Sequence, residues 1–217
     1  MKRNSPRRKL DAFTAFELII CIVIVFLLVV LLLPQFSSRP TVRASRINCM
    51  SNLKITGLGF RMWSNDHNDQ MPMMVSTNRR GSMEFIATGE VIRHFLAISN
   101  ELSSPKVLAC ADDKGVKRAT NFSLLTPKNV SYFVGLDADE TKMQMLLSGD
   151  RNITNGLPPN NHILQATGPD TFGWTKAIHN NAGNIGLADG SAAQTTTTTL
   201  RRQLTDPSNA TNRLALP

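Results

Sequence analysis

The chain has 217 residues, of which 41% are hydrophobic and 6% aromatic, and its formal net charge is +8. This size suits one modest domain with an accessory segment rather than two full domains. The basic balance does not by itself indicate nucleic-acid binding, because one Tyr and two Trp provide few stacking platforms and no aromatic residues are interleaved with the basic ones.

The first predicted element is a basic leader followed by an apolar helix. Every residue from 18 to 33 is apolar. A helix from Phe13 to Leu33, at about 1.5 Å per residue, spans the roughly 30 Å hydrocarbon core of a bilayer. Basic residues before it predict a cytoplasmic N-terminus: Lys2, Arg3, Arg7, Arg8 and Lys9. The sequence therefore predicts one membrane span.

Three simpler interpretations compete with that span. A secretory signal peptide needs a small-residue cleavage site after its apolar region, and only Ser37 and Ser38 keep that alternative open. A lipoprotein signal around Cys21 is disfavoured by bulky residues before it. A plain anchor leaves Glu17 unexplained, because a carboxylate at the edge of a membrane helix is costly without a partner.

The residues around the start of the helix resemble the cleavage signal of type IV prepilins. They read Ala12, Phe13, Thr14, Ala15, Phe16, Glu17. The resemblance implies that a prepilin peptidase removes residues 1–12 by cutting between Ala12 and Phe13 and then methylates the new amine. It departs from the family in Ala12, where Gly is usual, and in Ala15 and Phe16, where bulky aliphatic residues are commoner.

The resemblance also implies a role for Glu17, which becomes the fifth residue of the mature chain. When subunits pack their apolar helices (13–34) into a filament, this carboxylate is expected to pair with the N-terminal amine of a neighbouring Phe13. A buried charge is tolerable only when it is paired. Removal of the leader takes away about half of the net charge of +8.

The rest of the chain, 35–205, is predicted to form a head domain of the α+β class. Pro34 predicts a bend, and apolar residues at three- and four-residue spacing then predict a helix over 41–64. Gly57 and Gly59 are expected to let a sheet pack closely on that helix. A short helix is predicted at 91–98, and strands at 130–136, 144–147, 163–166, 184–188 and 192–199. The expected fold is pilin-like: a long N-terminal helix on a small antiparallel sheet, with a flexible tail over 206–217.

A second resemblance lies in the head. Nine residues separate His179 from Asp189 and Gly190, which resembles the H-X9-DG segment of prepilin-type proteins abundant in Planctomycetes and Verrucomicrobia. Fragments at 49–54, 131–133 and 149–152 are similar to the same group. Imidazole and carboxylate serve both acid–base chemistry and metal binding. A hairpin turn at Asp189 and Gly190, with His179 bonded across it, explains the motif structurally and is favoured.

The sequence contains few signals for enzymatic activity or metal binding. No nucleophile motif, zinc-ligand spacing or phosphate loop occurs, so no enzymatic activity and no cofactor are expected, and metal binding stays unknown. Calcium remains an alternative because major pseudopilins hold it with carboxylates, and acidic residues cluster at 112–113 and 137–140. Cys21 falls in the predicted span, whereas Cys49 and Cys110 are predicted to lie outside the cytoplasm and to form a disulfide.

The order of signal, helix and H-X9-DG predicts a structural subunit of a type II secretion pseudopilus. The implied partners are the prepilin peptidase, other pilin or pseudopilin subunits and an inner-membrane assembly platform. The implied location is the bacterial inner membrane, with the head in the periplasm, and then a filament. Two alternatives stay open: a type IV pilus subunit for adhesion, motility or DNA uptake, and a membrane-anchored periplasmic binding or enzymatic domain.

Overall fold

The computed structural model of the chain describes residues 14–36 and 42–217. The chain divides into two compact units between Thr41 and Val42. The predicted leader and the predicted cleavage site at Ala12 and Phe13 lie outside the described residues. Helix α1, Ala15–Phe36, belongs to the first unit, and all other described elements belong to the second.

Helix α1 begins where its sequence provides an N-cap. The backbone N–H and the hydroxyl of Thr14 both donate to Glu17 Oε2, at 2.9 and 2.8 Å, and the N–H of Glu17 faces Thr14 Oγ1 at 3.3 Å. This reciprocal arrangement is a capping box, which satisfies free N–H groups at a helix start. Counted over the residues that the structure describes, no helix is long and apolar enough to cross a membrane.

Helix α2, Val42–Asn65, is the backbone of the head domain and lies within one residue of the predicted bounds. One face is buried against the sheet and the elements beside it, and carries Cys49, Leu53, Phe60 and Trp63. The expectation that Gly57 permits close packing agrees with the structure, because a Cβ at this position would lie 3.4 Å from the Cα of Gly190. Gly59 has a different neighbour, the side chain of Leu102.

The main sheet has six strands in the order β4-β8-β1-β2-β6-β7, and all its pairs are antiparallel. A separate two-stranded sheet pairs β3 with β5. The α+β class with an antiparallel sheet is therefore confirmed. The strands are β1 Tyr132–Gly135, β2 Leu146–Asp150, β3 Ile153–Thr154, β4 Ile163–Gln165, β5 Gly173–Trp174, β6 Ala182–Leu187, β7 Ala192–Thr196 and β8 Arg213–Ala215.

The main sheet is covered on both faces. Alternate residues of a strand point to opposite faces. In β1, Tyr132 and Val134 accordingly join a core that includes residues of α2 and of helix α3, Val91–Ala97, whereas Phe133 joins a second core that includes residues of helix α4, Thr197–Leu204. Every residue of β1, β2 and β6 is buried.

Two predictions about the C-terminal part were wrong. The segment 206–217, predicted as a flexible tail, contains β8, which pairs with both β4 and β1 inside the main sheet. Burial explains this, because Leu214 and Ala215 are fully buried. The strand predicted over 192–199 stops at Thr196, where the hydroxyls of Thr196 and Thr199 form a capping box that begins α4. The β-branched residues 195–199 predicted a strand, but the Thr196 and Thr199 side chains bond to the backbone and begin a helix instead.

Candidate functional site

The two ends of the H-X9-DG segment lie at opposite ends of one strand. His179 precedes β6 and Asp189 follows it. A strand of this length extends about 20 Å, so the two side chains do not form a catalytic or metal-binding pair. The prediction that His179 bonds across the β6–β7 hairpin was also wrong. Its side chain instead contacts Asp150 of β2 and Asp112, in the loop that follows Cys110.

The Asp189–Gly190 end is a turn docked on α2. Asp189 Oδ1 accepts from the N–H of Ser191 at 2.8 Å, and the carbonyl of Asp189 accepts from Arg61 Nη1 at 2.9 Å. Gly190 has φ +82°, a left-handed conformation that favours glycine. This end of the motif therefore positions the hairpin on α2 beside Gly57.

The His179 end is a buried polar cluster. The ring Nδ1 lies 2.8 Å from Asp112 Oδ2, and Nε2 lies 3.4 Å from Asp150 Oδ2. Nε2 also faces the amide nitrogen of Asn184 at 3.1 Å and Cys110 Sγ at 3.4 Å. Because an amide nitrogen can only donate, Nε2 accepts, and the ring proton of the neutral imidazole is on Nδ1, facing Asp112.

Helix α2 positions this cluster from its N-terminal half. Arg46 Nη2 donates to the carbonyl of His179 at 2.5 Å, and Ser45 Oγ donates to Asp112 Oδ1. His179 itself has φ 55°, and the next two residues are also left-handed. A non-glycine residue in this conformation is uncommon and is held by its surroundings. The imidazole is therefore placed by contacts from several elements.

A disulfide lies directly beside the imidazole. Cys49 of α2 is joined to Cys110, with the two Cα atoms 4.9 Å apart, so the structure brings together the pair proposed from the sequence. Cys21, in α1, is a free thiol and is exposed. The bridge ties α2 to the loop that carries Asp112 and Asp113.

Burial controls the electrostatics of the cluster. Desolvation raises the pKa of Asp150 to about 7, although its hydrogen bonds to Asn184 oppose the shift. Desolvation also lowers the pKa of His179, against the opposing effect of Asp112. For Asp113, burial alone would raise the pKa, but the bidentate contact with Arg151, at 2.6 and 2.9 Å, lowers it overall. At neutral pH the imidazole is uncharged, and its lone pair on Nε2 faces Asn184 and Cys110.

The acidic residues considered for calcium are engaged separately. Asp137 binds Arg213 through two nitrogens at 2.9 and 2.6 Å, and Glu140 accepts from Arg61 at 3.1 Å and from Ser64 at 2.7 Å. Asp139 accepts from Thr141. Because each carboxylate is bound to its own partner, the structure does not bring these residues together as one ligand set.

A different set of residues has the geometry of a metal site. One ligand atom from each of Cys49, Cys110 and His179 lies within 4.8 Å of the other two, and all three residues are buried. Sequence reasoning separated these residues into a disulfide and a motif, and it gave no functional role to Asp150 or Asn184. The fragment at 149–152 was noticed only as a resemblance, although a carboxylate beside a buried strand was a usable signal.

Glu17, which the sequence predicted to act in assembly, is at the N-terminal end of α1, in the capping box described above. No protein-family model matches the chain, and comparisons with curated proteins and with solved structures found no significant match.

Proposed function

We propose that the chain is a pilin-like structural subunit that a prepilin peptidase processes and that assembles into a type II secretion pseudopilus. The observation that carries this proposal is the surface of α1. Every described side chain of α1, from 15 to 30, is exposed, and apart from Glu17 and Ala15 these are bulky apolar residues or Cys21.

Such a surface is unfavourable in water and is stabilised when it is covered. Burying one large aliphatic or aromatic side chain contributes about 1.5–3 kcal/mol. A helix that is apolar on all sides is stable when it is buried, either in lipid or among other helices. A filament subunit uses both environments in turn, the membrane before assembly and neighbouring helices after it.

Glu17 supports this assignment by its place. Both hydrogen bonds from Thr14 go to Oε2, so Oε1 is the oxygen available to a neighbouring chain among the contacts that the structure describes. A carboxylate can accept several hydrogen bonds. The capping box therefore holds the carboxylate one turn from the predicted mature N-terminus, where a neighbour's amine can reach Oε1 without disrupting α1.

The head supports the proposal through its architecture. An amphipathic helix, α2, lies against an antiparallel sheet, where it contacts the docked Asp189–Gly190 turn, and a disulfide ties it to the loop that follows Leu108. This arrangement is the one expected of a pilin-like head. It makes the head a self-contained unit that α1 carries into an assembly.

The test of processing is mass spectrometry of the N-terminus after co-expression with the cognate prepilin peptidase. We expect a chain that begins at methylated Phe13. An intact Met1 would replace the proposal with an anchored periplasmic domain, and a start after Ser38 would replace it with a secreted one.

The test of assembly is Glu17→Ala, with Glu90→Ala as the matched control on the head surface. We expect normal membrane insertion and at least a tenfold loss of filaments in the sheared fraction for Glu17→Ala, because the neighbouring amine loses its partner in an apolar environment. Glu90→Ala should assemble normally. Unchanged filament yield and protein secretion in Glu17→Ala would contradict the mechanism. Secretion of a cargo protein, rather than adhesion or motility, would separate the pseudopilus from a type IV pilus.

A further inference from the structure

We propose that the dithiol form of the chain holds a thiophilic divalent cation of the zinc class between Cys49, Cys110 and His179. The proposal concerns the head alone and does not rest on filament assembly. Its starting point is that the three ligand atoms lie within 4.8 Å of one another in a buried position.

The spacing of sulfur and nitrogen already suits such an ion. Cys110 Sγ and His179 Nε2 are 3.4 Å apart. In a tetrahedral zinc site, with Zn–S at about 2.3 Å and Zn–N at about 2.0–2.1 Å, a sulfur and a nitrogen ligand are about 3.5 Å apart. The sulfur and the imidazole nitrogen therefore need little movement, and the main change on binding is separation of the two sulfurs to about 3.8 Å by side-chain rotation.

The imidazole is oriented as a metal ligand requires. Its Nδ1 lies 2.8 Å from Asp112 Oδ2, an ion-pair distance without the alignment of a hydrogen bond, and the Asn184 amide donates to Nε2, which is therefore the nitrogen with a lone pair. Histidines that bind metals almost always donate their other N–H to a carboxylate, carbonyl or water, which fixes the tautomer and raises ligand basicity. Ser45 in turn binds the other oxygen of Asp112, so the orienting carboxylate is itself held in place.

The backbone conformation of His179 indicates that the surrounding residues fix the position of its imidazole. His179 is left-handed, with φ 55°, and Arg46 holds its carbonyl. The side chain is 1% exposed. Strained residues that their surroundings hold in place cluster at functional sites, and here the constraint directs Nε2 toward the two cysteines.

Cation and disulfide exclude one another. A newly made chain carries both cysteines as thiols, and a thiol or phosphine reductant regenerates them by supplying two electrons as two protons are taken up. Binding of the cation then releases both thiol protons to solvent and forms two metal–thiolate bonds and one metal–imidazole bond, with water in the fourth position. Exchange with an external disulfide, which accepts the two electrons and leaves as two thiols, converts both thiolates to the Cys49–Cys110 bridge and expels the ion.

The experiment uses the full chain in detergent micelles, reduced with a phosphine that is then removed without oxygen, and titrated with Co²⁺ as the spectroscopic probe. We expect one equivalent to bind, with tetrahedral d–d bands and a thiolate-to-cobalt charge-transfer band. The oxidised chain should show neither. Absence of the charge-transfer band in the reduced chain, or the same spectrum from the oxidised chain, would overturn the proposal.

Variants separate a ligand from a merely structural histidine. In a Cys21→Ser background, we expect His179→Gln to weaken Co²⁺ binding at least tenfold and Asp112→Asn to weaken it about 10–100-fold through the lost orienting contact. His94→Gln, which changes a buried histidine elsewhere, should bind normally. Equal affinity in His179→Gln would count against the site.

A second measurement keeps the test decisive if these variants do not fold. In the reduced wild-type chain, Zn²⁺ should slow alkylation of Cys49 and Cys110 at least tenfold. Cys21, the exposed thiol of α1, should be alkylated at the same rate with and without Zn²⁺. Unprotected Cys49 and Cys110 would refute the proposal.

Discussion

Helices α1 and α2 have similar lengths, 22 and 24 residues, but opposite relations to their surroundings. The described side chains of α1 are exposed and nearly all apolar. Helix α2 buries Cys49, Leu53, Phe60 and Trp63 on one face. An amphipathic helix finds its partner within the fold, whereas a helix that is apolar on all sides needs one from outside. Under the proposed function, α2 stabilises the head and α1 provides the surface for association.

Removing α1 is the strongest test of this difference between the two helices. We expect a chain that begins at Val42 to remain soluble and monomeric without detergent and to keep its cooperative unfolding, because the second compact unit begins there. The full chain should associate unless micelles or other subunits cover α1. Size-exclusion chromatography with light scattering measures both. An aggregated head would show that α1 contributes to folding as well as to association.

Breaking the covalent tether of α2 has the next largest expected effect. The bridge joins residues 61 positions apart in sequence, and a loop of that length gives about 4 kcal/mol of stabilisation in the chain-entropy model. Cys110→Ser should therefore lower the free energy of unfolding of the full chain in micelles by about that amount in urea titrations. Cys21→Ser, which changes a thiol of α1, is the matched control and should leave the midpoint unchanged.

The core beside α2 also makes stability depend on pH. Burial lowers the pKa of His94 from 6.5 to about 4, and its Nδ1 lies 2.7 Å from Ser82 Oγ. As the pH falls, His94 is protonated in the unfolded chain before it is protonated in the folded one. The folded state is therefore fully stable above pH 6.5 and loses this part of its free energy of unfolding as the pH falls to 4. Between pH 7 and pH 4.5 we expect a loss of about 2 kcal/mol from this residue alone.

Comparison with His94→Gln isolates that loss. The raised pKa of Asp150, about 7, has the opposite effect, since it favours the folded state at low pH and that contribution is lost as the pH rises through 7. This effect is common to both proteins and cancels in the difference between their unfolding curves at pH 4.5 and 7. The same difference at both pH values would show that folding does not lower the pKa of His94.

The smallest expected effect concerns the turn docked on α2. Gly190 and Gly156 both have φ +82°, but a Cβ on Gly190 would lie 3.0 Å from Arg61 Cδ, whereas nothing lies within 4 Å of one on Gly156. Left-handed strain costs about 1–2 kcal/mol for alanine. We expect Gly190→Ala to destabilise the head by about 2 kcal/mol and Gly156→Ala by about 1 kcal/mol. Equal values in thermal unfolding would mean that Arg61 moves aside freely.

Local patterns predicted α2 and α3 well, because three- and four-residue spacing is a property of neighbouring residues. The bounds of strands were less well predicted, as β2 shows: it was expected at 144–147 and forms at Leu146–Asp150. The end of this strand carries the buried carboxylate of Asp150. A polar residue inside a strand is not predicted from the sequence, because its burial depends on a hydrogen-bond partner distant in the chain, here Asn184. The C-terminal strand β8 was missed for a related reason, since three residues show no period.

The sequence by itself determined the amphipathic face of α2, the α+β class and which cysteines were available to pair, because these depend on composition, spacing and neighbouring residues. Only the tertiary structure decided that the C-terminus is an interior strand and that His179 lies beside the disulfide rather than beside Asp189. Such contacts join residues distant in the chain, as Cys49, Cys110 and His179 do. Their free energy comes from burial and pairing that no local pattern records.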